Sequence, residues 1–70
     1  MKTKAYYSLL SREDDASPWT IEFGDYDKEC VESEKEEYRD KGVKATNLKI
    51  IRTDDSQAAI NAKVAQLNSK

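Results

Sequence analysis

The sequence predicts a small α+β domain with the element order β-β-α-β-α, and three observations carry that reading. Trp19, Ile21 and Phe23 alternate with Thr20 and Glu22, the period-2 pattern of a half-buried strand. Residues 28–41 are bracketed by helix start and stop signals at both ends. Ile60, Val64 and Leu67 recur at i, i+4 and i+7, a narrow apolar stripe on a second helix.

The elements follow in chain order. Residues 5–10 are aromatic and aliphatic with no capping context, which fits a strand. Residues 11–18 are polar, acidic and end in proline, so they form a loop. The second strand runs from Trp19 to Phe23, and Gly24 ends it. Its closeness to the first in sequence suits an antiparallel hairpin, although the loop of about eight residues exceeds the usual length. Asp27 suits the N-cap of the first helix, since its carboxylate can accept from the free amides of the first turn. Tyr26 and Val31 then occupy the two positions of a hydrophobic staple. Glu29 and Glu32 lie near the positive end of the helix dipole, and Arg39 and Lys41 near the negative end. Gly42 stands at C′ and Val43 at C″, where a Schellman ending brings Val43 onto Tyr38. Residues 45–52 alternate Leu48 and Ile50 against Lys49 and Ile51, a third strand. Asp54 is positioned to cap the second helix, with Gln57 three residues later as its capping-box partner. Ala58, Ala59, Ala62 and Ala65 are explained by helix propensity.

Neighbouring elements stay close, and a β-α-β connection crosses over right-handedly. Both conditions are met by a three-stranded antiparallel sheet of order 2-1-3, and we place both helices on one face. The inward set is then Ala5, Tyr7, Leu9, Trp19, Ile21, Phe23, Leu48 and Ile50, covered by Val31, Tyr38, Ile60, Val64 and Leu67. On the face without a helix, Tyr6, Leu10 and Ile51 form an apolar patch, the expected interface of a homodimer. The alternative is that the C-terminus or the loop 11–18 folds over that face.

Seventy residues form a single domain, 1–70, whose core is thin unless something staples it. Cys30 is the only cysteine and histidine is absent, so no intramolecular disulfide or Cys/His metal site can be built. A reducing, cytoplasmic setting is the expectation, and no apolar run is long enough to span a membrane. Cys30 has acids around it and no base, so it is read as structural. Gly24-Asp25-Tyr26-Asp27 lacks calcium-loop spacing and is read as a strand-to-helix turn. No serine has a histidine to activate it and no glycine-rich phosphate loop is present. Solvated carboxylates on a helix are poor acid–base catalysts, so we expect neither an enzyme nor a cofactor.

Charge is the one distinctive surface property. Between Glu13 and Asp40 the chain carries twelve carboxylates against three cations, whereas residues 1–12 and 41–70 are both net positive. The exposed side of the first helix, with Glu29, Glu32, Glu36, Glu37 and Asp40, is therefore the expected contact surface for a protein partner. The acids could stand in for a phosphate backbone in a basic groove. The alternative is a nucleic-acid surface built from Lys4, Tyr6, Lys49 and Arg52, which the net charge of −2 disfavours.

Trp-Thr-Ile-Glu-Phe-Gly-Asp-Tyr-Asp at 19–27, the acidic helix and Leu-Lys-Ile-Ile-Arg at 48–52 together resemble small proteins encoded by phages and bacteria. The likeness covers most of the chain and rests on structural motifs. It implies an accessory protein of a phage or bacterium, and it transfers no functional residue.

Overall fold

The computed structural model describes residues 4–69. Strand β1 (Ala5–Ser11) pairs with β2 (Thr20–Asp25) and with β3 (Leu48–Asp54), both antiparallel, giving the sheet order β2-β1-β3. Helix α1 (Lys28–Asp40) connects β2 to β3, and α2 (Gln57–Asn68) follows β3. The first residues assigned to the third strand, Ala45–Asn47, instead form a 3₁₀ turn that leads into it.

Local signals set α1. The Asp27 carboxylate accepts from the Glu29 amide at 2.9 Å, so the expected N-cap forms. At the other end the Gly42 amide donates to the Arg39 carbonyl and the Val43 amide to the Tyr38 carbonyl. With Gly42 at φ 105°, this is a complete Schellman ending. Tyr38 and Val43 pack together against the same apolar cluster. The staple does not form, because Tyr26 sets its ring edge-on to Tyr6, with centroids 5.0 Å apart. In α2 the cap lies two residues later than the sequence suggests. Strand β3 continues through Asp54, and Ser56 accepts from the Ala59 amide at 3.1 Å. Gln57 is thus the first helical residue, and its side chain donates to Asn61 rather than closing a capping box.

The two helices lie on opposite faces, which corrects the expectation that both cover one. The register of β1 with β3 places Tyr7, Leu9, Ile50 and Leu48 on one face. There they meet Val31 and Tyr38 of α1, together with Phe23 and Val43. Ser8, Leu10 and Ile51 point the other way and are also buried, Leu10 at 0 % exposure and Ile51 at 5 %. The buried Ile60 of α2 belongs with them, and no residue of α2 joins the α1 cluster. Both ends of α2 are fastened on that side. The Asp55 carboxylate, just before it, accepts from the Tyr26 hydroxyl at 3.1 Å. At its last residue, Asn68 accepts from the Trp19 amide at 2.7 Å and donates to the Trp19 carbonyl at 3.2 Å. The Cα atoms span 41 × 29 × 12 Å.

A bulge in β2 accounts for a second correction. Leu9 pairs with Phe23 and Leu10 with Ile21, so Glu22 is an extra residue opposite β1. The alternation therefore slips by one. Phe23 stays on the α1 face, while Ile21 moves to the α2 side and is 44 % exposed. Trp19, clamped by Asn68 and lying 6.0 Å from the Lys49 ammonium, follows it. Opposite Ser8, Gly24 makes room for the Tyr6 ring. A Cβ there would collide with the hydroxyl and lie 2.8 Å from two ring carbons.

These placements remove the expected dimer patch. Leu10 and Ile51 are core residues beneath α2, Tyr6 is half-buried against Gly24 and Tyr26, and no face of the sheet lacks a helix. The chain's own C-terminal helix covers what a second copy was expected to cover.

Candidate protein-binding face

Helix α1 turns Val31 and Tyr38 to the sheet, and a 3.6-residue period then sends Glu29, Glu36 and Asp40 directly outward with Glu32 and Glu37 flanking them. All five are exposed. None takes part in an ion pair among the described residues, where the one ion pair joins Arg12 to Asp15 at 3.5 Å. Lys28 and Arg39, on the same helix, are likewise exposed and unpaired there. The structure thus keeps the expected acids together on one solvated face. Cys30 sits in the first turn of this helix, and its thiol is pushed above the ordinary value by local desolvation and then by Asp27, Asp25 and Glu29. That opposes thiolate chemistry.

The expected nucleic-acid set is brought together only in part, Lys4 lying 6.0 Å from the Tyr26 ring that packs edge-on against Tyr6. Tyr6 and Lys49 belong to the α2 face, near opposite ends of the sheet. Arg52 stands opposite Tyr7 on the α1 face, so the sheet itself separates the stacking ring from one of its cations.

Two arrangements escaped the sequence reading. The first is an open groove of about 1040 Å³ between the loop 12–18 and the end of α1. At its wall Glu22 accepts from the Ser11 hydroxyl at 2.6 Å, the Thr20 hydroxyl at 3.2 Å and the Tyr38 hydroxyl at 3.3 Å. Burial, followed by the Glu22 charge, holds the Tyr38 phenol above its ordinary value. The bulge aims Glu22 into this cluster, and nothing in a period-2 pattern signals it. The second is the floor of the loop. Arg12 donates to the Asn47 side chain at 3.2 Å and to the Thr46 carbonyl at 3.1 Å, and its guanidinium lies 4.5 Å over the Trp19 ring. Asp14 folds the loop tip by accepting from the Ala16 amide and the Ser17 hydroxyl, and these bonds lower its pKa. Each of these groups already has a partner within the chain, so the network fastens the loop.

Among the described residues, no three acidic or sulfur side chains converge to hold a metal ion. No helix among them is long and apolar enough to cross a membrane. The geometry defines a small α+β domain in which a helix covers each face of a three-stranded sheet. No family model, no curated protein and no solved structure matches the chain.

Proposed function

We propose that this protein is a non-enzymatic accessory protein that seats the outer face of α1 on a basic surface of another protein, in the cytoplasm of a bacterium or a phage-infected cell. The supporting observation is the exposure of Glu29, Glu32, Glu36, Glu37 and Asp40 on one helical face, none of them in an ion pair among the described residues. Leaving like charges together costs stability in the free protein, and a basic partner relieves that repulsion.

Binding of this kind is screened by salt. Raising ionic strength from about 0.01 to about 0.15 M shortens the screening length from about 30 to about 8 Å. Partners captured from a bacterial lysate by the wild type should therefore weaken steeply over that range. The double variant Glu36→Lys/Glu37→Lys, altered only at exposed positions, should fail to retain them. Retention that ignores both salt and the double variant overturns the proposal.

A further inference from the structure

We infer that the open edge of β3 is a strand-pairing site for an extended, acidic segment of another protein. The strand order leaves β3 at the sheet border, and the contacts of α1 and α2 are with the two faces of the sheet. The Leu48 amide donates to the Ala45 carbonyl, but from Lys49 to Thr53 the backbone's only partners among the described residues are on β1. The groups that face outward are thus an unpaired row of donors and acceptors. Strand β3 is also a regular template. It keeps seven consecutive pairs with β1 without a shift and contains neither glycine nor proline. The opposite border differs, because β2 is bent by the bulge at Glu22 and Asn68 occupies both backbone groups of Trp19.

Charge selects the occupant. Within Lys49–Thr53 the exposed side chains are Lys49 and Arg52, one on each face of the sheet. Arg52 is in no ion pair among the described residues, and Lys49 has only the Trp19 ring, 6.0 Å away. A strand carrying two carboxylates three residues apart sets one opposite each cation. Its backbone supplies the ladder and the charge pairs choose the sequence. A second copy is a poor occupant, because twofold pairing of two β3 edges gathers both copies' Lys49 and Arg52 along one seam. The cations that guard the edge against self-pairing are those that recruit an acidic strand.

The test uses the ¹⁵N-labelled full chain and a capped peptide, Thr-Val-Glu-Val-Val-Glu-Thr, with its lysine-for-glutamate counterpart. The acidic peptide should shift the amides of Lys49–Thr53 and slow their exchange. Its affinity should fall at least about tenfold in Lys49→Glu/Arg52→Glu, and the lysine peptide should bind at least about tenfold more weakly to the wild type. The variant Glu36→Lys/Glu37→Lys should bind the acidic peptide at least as well as the wild type, which separates this site from the α1 face. The inference is overturned by an absence of shifts at millimolar peptide, by shifts confined to α1 or α2, or by equal binding of the two peptides. Sedimentation showing the wild type paired with itself through β3 overturns it equally.

Discussion

Tyr26 ties three parts of the chain together although the residue is 53 % exposed. It follows β2, leans edge-on against Tyr6 of β1, and donates its hydroxyl to Asp55 at the entry to α2. That hydrogen bond, followed by desolvation and the Asp55 charge, raises the phenol above its ordinary value of 10.0. The neutral ring is the bonded form, and the folded value exceeds the unfolded one. Its stabilising contribution is therefore full below pH 10.0 and disappears as pH climbs through the folded value. In an alkaline NMR titration Tyr26 should ionise late, and Asp55→Ala should bring it down toward 10.0. A titration curve that Asp55→Ala leaves unmoved would show that the bond carries no weight in solution.

At the scale of the element, α1 was legible nearly to the residue because its signals are local. Asp27, Gly42 and Val43 act within one turn of their own position, so no tertiary knowledge was needed. Gly42 tests this directly. Open space surrounds it, so replacing it with alanine meets no neighbour and incurs only the backbone penalty of φ 105°. Gly42→Ala should cost about 1–2 kcal/mol in urea denaturation; an unchanged midpoint would mean that the ending rearranges freely. Strand β2 was only half legible. Trp19, Ile21 and Phe23 have the right period, but the extra residue at Glu22 divides them between faces, and a bulge leaves no mark in a pattern of apolar residues. The cap of α2 was ambiguous for another reason. Asp54 and Ser56 are both good caps, and only the pairing of Asp54 with Ala5 assigns Asp54 to the strand.

For the whole molecule, the side on which α2 docks was the part hidden from the sequence. Leu10 and Ile51 announced a second apolar face, yet residues 55–56 are too short a connection to state which face the helix takes. The five acids of α1 were legible because periodicity alone exposes them. The cations of β3 were legible as residues, but their meaning as an edge required the sheet order. Ile51→Glu now separates the two readings of that face. Placing a carboxylate beneath α2, at a site only 5 % exposed, should destabilise the protein by about 3 kcal/mol or more. Sedimentation should find the same monomeric mass for wild type and variant. A wild type that dimerises, with a variant that is monomeric and equally stable, would restore the face to a partner.

The strand made first is also the strand in the middle. β1 acquires its second neighbour only when β3 has been synthesised, with Ser8 waiting for Ile51 and Leu9 for Ile50. At ribosomal rates the interval between Ser11 and Asp54 is roughly two to nine seconds. Until β3 joins, the sheet is at most a hairpin, which is marginal alone in water. Its Leu9 and Leu10 are exposed on both sides until α1 and α2 arrive. The exposure of these leucines is therefore greatest before the sheet and helices are assembled, and the acids of the loop 12–18 and of α1, which lie between β1 and β3 in sequence, put charge on that incomplete structure.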